Sequence, residues 1–213
     1  IQGTAQSCSV SVPAGTVFRW TNNSGDGLWN NANNWRDNSN NPGVPTAGST
    51  VFLSCLGSSD VTLNINTSVG RVIADPTYLA VLHLGAHTLT ITQELKIPSA
   101  SQLDAGTGLV QFNGTVVCNT PAELYNLEIL GNGTITPVQN VLVGQNLTLT
   151  GVNIIGNCSN GNILVKGNLV SNDATGWAGG SCGNWAYVVL NGSGDQTVSG
   201  TGKWANMEVN KPS

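Results

Sequence analysis

The stretch VLVGQNLTLTGVNIIGNCSNGNILVKGNLV, residues 141–170, decides how the whole chain is read. Leu147 and Leu149 alternate with Asn146, Thr148 and Thr150, and Ile163 and Val165 repeat the pattern after Val152 and Ile154. Gly-Gln-Asn, Asn-Gly and Gly-Asn cut the apolar runs. Alternation of period two, bounded by Gly and Asn, is the pattern of strand, turn, strand.

The same texture extends outward. From Thr50 it runs through TVFLS, DVTLNI, GRVIA, AVLHL, HTLTI, ELKI and GLVQF, and it returns at ANMEV near Ser213. No segment carries the spacing of an amphipathic helix. Short strands at this density fit a sandwich, a barrel or a solenoid. An internal echo favours the solenoid. Val110-Gln111-Phe112-Asn113-Gly114 resembles Val189-Leu190-Asn191-Gly192, and Leu124–Ile129 resembles Trp204–Val209, at offsets near 80 residues. A shorter echo links Gly85–Thr90 to Gly144–Leu149. An offset of that size corresponds to three or four coils of roughly 20–25 residues. The interior of such a stack takes Val, Leu and Ile, while Asn stacks in ladders and tolerates left-handed turns. The expected fold is all-β, a right-handed parallel β-helix (β-solenoid) over residues 50–213, preceded by a Trp-rich N-terminal cap module over residues 1–49.

That first segment reads differently. It holds Trp20, Trp29 and Trp35 among turn formers, with strand patterning only at Val17–Trp20. The three tryptophans are expected to pack on one another or over the first rung. A sugar-stacking face is the functional alternative.

Charge narrows the partners. Charged residues make up 8% of 213 positions, the net charge is −4, and the basic residues are Arg19, Arg36, Arg71, Lys96, Lys166, Lys203 and Lys211, all isolated. No basic patch exists to neutralise phosphates, so nucleic acid is not an expected partner. No apolar run approaches the roughly 20 residues of a membrane helix. The chain begins at Ile1, which fits a mature secreted protein or a trimmed one.

Five cysteines, Cys8, Cys55, Cys118, Cys158 and Cys182, stand far apart without a histidine cluster. Zinc spacing is absent, and disulfides in an oxidising compartment are the expected use. Cys8 and Cys55 flank the Trp-rich module and are expected to bridge. Cys158 and Cys182, about one coil apart, could bridge stacked turns. Cys118 is left free.

For catalysis, glycoside cleavage needs two positioned carboxylates. The eleven acids are dispersed, although stacking could bring distant ones together. Glu128 and Glu208 read as outward strand residues. His83 and His87, in HLGAH, read as strand and turn histidines rather than a metal pair, because the segment is not helical. The turn Asn22–Gly27 is rich in oxygens but has one carboxylate, short of an ordinary calcium site. No metal or cofactor is expected. The Gly-rich loop Asn172–Trp185 presents Trp177 and Trp185, the candidate carbohydrate platform.

The spacing Trp20…Trp29…Asn34-Trp35…Pro42…Pro45…Val51 resembles the opening of many long secreted bacterial surface proteins. The later "F-N-G…L-x-N-L-x-I" phrasing is similar to their repeats. These are autotransporter-like adhesins of β-helical type, frequent in Bacteroidetes-type organisms. Ser49 departs from the acidic residue usual there, and the cysteines are atypical. The resemblance implies a non-enzymatic structural or adhesive module, a stalk or filament element, at the cell surface. A carbohydrate-binding module is the alternative, and a β-helical polysaccharide-degrading enzyme a third. The last strand, in full rhythm at residues 204–209, is expected to leave an open rung. It would be continued by further coils or meet another chain end to end.

Overall fold

The computed structural model describes residues 16–57, 59–151, 161–172, 188–202 and 207–212. In chain order the strands are β1 (Val17–Trp20), β2 (Trp35–Arg36), β3 (Thr50–Leu53), β4 (Val61–Thr62), β5 (Thr67–Ala74) and β6 (Leu82–His83). Then come β7 (Thr88–Lys96), β8 (Leu103–Asp104), β9 (Leu109–Asn119), β10 (Glu123–Leu124), β11 (Asn126–Pro137) and β12 (Val141–Val143). The last are β13 (Leu147–Thr150), β14 (Ile163–Val165), β15 (Leu169–Ser171), β16 (Val188–Leu190), β17 (Val198–Ser199) and β18 (Met207–Val209). Among the described residues, helix is confined to two 3-10 turns, Ala32–Asn34 and Ala100–Gln102.

The strands stack as a parallel β-solenoid. One wall is a ten-stranded sheet, ordered β17-β15-β13-β11-β9-β7-β5-β3-β1-β2, and only the β1–β2 pair is antiparallel. The facing short strands form two further sheets, β4-β6-β8 and β10-β12-β14-β16-β18. Thr62, His83 and Asp104 stand in register on successive coils, 21 residues apart at each step.

Alternation builds the core. Leu89, Val110, Leu127, Leu147 and Leu169 form one inward column, each almost fully buried. A second runs Val51, Val72, Leu95, Cys118. Side chains between them point outward, and polar ones pair along the axis. Thr90 Oγ1 donates to Gln111 Oε1 (2.9 Å), and Gln111 Nε2 donates to Glu128 Oε2 (2.7 Å). The expected Asn ladder is present at a corner: Asn168 Nδ2 donates to Asn146 Oδ1, and Asn146 Nδ2 to Asn126 Oδ1, both at 3.2 Å. Gly106 (φ +53°) sits so close over Gly85 that an added Cβ would lie 2.6 Å from its carbonyl oxygen. The corner therefore requires glycine there.

The 80-residue echo does not describe structural equivalence. Val110–Phe112 lies in the ten-stranded sheet, whereas Val188–Leu190 lies in the five-stranded one. Val209 shares its column with Leu190, Val165, Val143 and Leu124, not with Ile129. Gly/Asn-punctuated alternation suits every face of a coil, so similar text does not fix the face. The shorter echo misses the register by one residue: aligned from Gly85 and Gly144 it sets Leu89 against Thr148, whereas in the stack Leu89 shares its column with Leu147.

Candidate functional site

At the N-terminal end, β1 joins the long sheet beside β3, so the Trp-rich segment contributes a rung as well as a cover. Trp20, Trp29 and Trp35 are all fully buried. Trp35 packs edge-on between the other two, with ring centroids 4.7 Å and 4.8 Å away. Its Nε1 donates to Trp29 O (2.7 Å), and Trp20 Nε1 donates to Ser59 O (3.0 Å). Trp29 Nε1 is buried without a partner.

The oxygen-rich turn at Asn22–Gly27 spends its groups on the protein. The Asp26 carboxylate accepts from Leu28 N (3.0 Å), Asn31 Nδ2 (2.7 Å) and Asn34 Nδ2 (2.5 Å). These bonds, the one from Leu28 first, hold its pKa well below the carboxylate range. Asn34, fully buried, also donates to Leu28 O and accepts from Ser24 N (3.1 Å) and the Ser24 hydroxyl. The turn is a hydrogen-bonded knot that fixes the tryptophans.

A second constellation lies on the short-strand face. His83 stands between two carboxylates from neighbouring coils, with Nδ1 3.0 Å from Asp104 Oδ2 and Nε2 3.4 Å from Asp60 Oδ2. The bond to Asp104 raises the His83 pKa most, Asp60 adds to it, and partial burial opposes it. The Asp104 carboxyl is correspondingly lowered, by His83 and then by Gly106 N. The two ring nitrogens serve different carboxylates, so this geometry ties coils together and does not converge on one cation. His87 occupies the turn after Gly85, as expected, its N–H donating to Leu84 O (3.0 Å).

Beyond Asp104 the face is interrupted. β8 and β10 hold equivalent places in successive coils, yet they belong to separate sheets. Different corners precede them: a 3-10 turn with a Ser99–Gln102 capping box before β8, and Thr120-Pro121-Ala122 before β10. Pro121 has no N–H to give to a ladder. Gln102 Nε2 donates to Tyr78 O and to Asp75 O (3.2 Å), pulling that corner toward the coil below. A groove of about 360 Å³ opens at the seam, lined by Ala100, Asp104, Gly106, Glu123 and Tyr125 among others. Glu123 pairs with Lys166 across the next coils.

Of the residues singled out in the sequence, Trp177, Trp185, Cys8, Cys158 and Cys182 lie outside the described residues. Cys55 is disulfide-bonded, and its partner also lies outside them. Cys118 is free and buried, with its thiol pushed up to about 12 by burial. Glu128 faces outward within its polar ladder, as expected. Sequence reasoning missed the Asp60–His83–Asp104 alignment and the Tyr125 groove. The spacings from 60 to 83 and from 83 to 104 are each about one coil, and that was the signal available.

At the C-terminal end, Val198, Met207 and Val209 continue the inward columns of Leu169, Val188 and Leu190. They are nevertheless 38%, 40% and 61% exposed.

Among the described residues no helix is long and apolar enough to cross a membrane. The chain matches no protein-family model, no curated protein and no solved structure. Its class is set by the architecture alone: a β-solenoid with a tryptophan cluster near its N-terminus.

Proposed function

We propose that the chain is a non-enzymatic structural and adhesive module of a secreted bacterial cell-surface protein, a stalk or filament element of the autotransporter-like, Bacteroidetes-type kind that its sequence resembles. The observation that carries this reading is the last coil. Val198, Met207 and Val209 sit at inward positions with nothing stacked on them among the described residues, and such an end pairs readily with another coil. What is proposed to cover this end is another coil, supplied by further chain or by a second copy joined end to end. Sedimentation and negative-stain imaging over a concentration series test this. Elongated assemblies that dissolve on Val209→Glu support the second copy, and a strictly monomeric protein whose full-length gene adds no further coils contradicts both branches.

The disulfide pairs Cys8–Cys55 and Cys158–Cys182 belong to the same reading, since an extracellular location favours them. Each would contribute about 3 kcal/mol by restricting the unfolded chain. Non-reducing peptide mapping checks both. A carbohydrate-binding module remains the second reading. Activity against neutral and acidic polysaccharides, expected to be nil, separates both from a polysaccharide-degrading enzyme.

A further inference from the structure

The seam between β8 and β10 combines features that the other faces do not share. Its two rims are the consecutive short strands β8 and β10, which no ladder joins, so the short-strand wall leaves a gap there while the long sheet still links the coils. Tyr125, half-buried, packs against the core from the upper rim. An aromatic ring so placed offers a rigid apolar face at little cost in side-chain freedom. Asp104 stands on the lower rim and Glu123 on the upper, with side chains 59% and 42% exposed. Both carboxylates are already held, Asp104 by His83 Nδ1 (3.0 Å) and Gly106 N (3.0 Å), Glu123 by Lys166 Nζ. Each oxygen keeps a free lone pair. Acceptors fixed in advance lose less entropy on binding than mobile ones.

We propose that this seam binds a neutral saccharide chain, with a sugar ring laid on Tyr125 and its hydroxyls donating to the carboxylates of Asp104 and Glu123. A sugar presents an apolar C–H face and a rim of hydroxyl donors, which matches an aromatic wall edged by acceptors. The volume, about 360 Å³, falls at the lower end of the roughly 300–1,000 Å³ usual for small-ligand sites. That suits a short segment of a chain running across the coil axis. Two carboxylates at the rims, on a chain of net charge −4, repel uronates and sulfated sugars. The site shares no residue with the end-to-end contact proposed above, so either can fail alone.

Affinity electrophoresis and titration calorimetry of the whole chain test it, with soluble glucan, xylan and mannan as neutral probes and polygalacturonate as the acidic one. At least one neutral polysaccharide should retard the protein, and polygalacturonate should not. Tyr125→Ala should weaken binding about tenfold, with Tyr125→Phe retaining it. Since Tyr125 packs on the core, Ala100→Trp provides an independent check. Ala100 is exposed, and the large ring would fill the groove while leaving the melting temperature unchanged. Failure of every neutral probe, or binding that survives both Ala100→Trp and Tyr125→Ala, overturns the proposal.

Discussion

The two ends of the solenoid solve one problem in opposite ways. Both are places where the stacked strands of the described residues run out. At the N-terminal end the chain leaves the period-two rhythm between β1 and β3. Three tryptophans, a buried Asn34 and an ionised Asp26 close the stack, and the antiparallel β2 lies along the edge of the long sheet. At the C-terminal end the rhythm persists to β18, and inward residues stay exposed. Among the described residues the covered end is thus the aperiodic one, and the end with exposed inward residues is the repeating one. In a stack where each coil contacts only its neighbours, what happens at an end is felt locally first.

Truncating both ends probes this contrast most strongly. Trp35→Ala should cost about 3–5 kcal/mol in urea unfolding followed by circular dichroism. Val209→Ala at the open end should cost about 0.5 kcal/mol or less. Equal costs would erase the distinction. Asn34→Ala comes next, at about 1–3 kcal/mol, because it strands the groups that the amide satisfies. A finer comparison stays within the cap. Trp35→Phe removes a donor that Trp29 O accepts from, whereas Trp29→Phe removes a donor with no partner. The first should be the more damaging by about 1 kcal/mol. A reversed order would mean the cap is held by shape alone.

The smallest effect concerns His83. Its pKa is raised in the fold, so its contribution is complete below the unfolded value of about 6.5 and disappears as pH rises through the folded pKa. Asp104 is lowered, so its share is present above about 3.9 and is lost as pH falls through its folded pKa. The clamp is therefore strongest between these limits. The partners are largely exposed, and screening limits the gain to about 0.2–1 kcal/mol. Melting temperatures of wild type and His83→Gln should diverge near pH 5.5 and converge near pH 8.5.

Periodicity made the coils legible. Leu147, Leu149, Ile163 and Val165 announce inward columns by alternation alone, and all are buried. The Asn ladder followed from the residue type at the turns. The faces were not legible, because Val110–Phe112 and Val188–Leu190 read alike and stand on different walls. Nor was the seam, which depends on how a 3-10 turn and Pro121 shape consecutive corners. Asp60, His83 and Asp104 come together only when coil length is known to within a residue. Tyr125 reads as an ordinary strand-end aromatic until the missing ladder beside it is seen.

The seam also bears on how the rod responds to force. Along most of its length two hydrogen-bonded walls carry an axial load side by side. At the level of β8 and β10 one wall is interrupted, and the long sheet alone carries backbone tension across that section. A pull along the axis would concentrate there, and the rod would flex about the long wall before any strand separated from its neighbour.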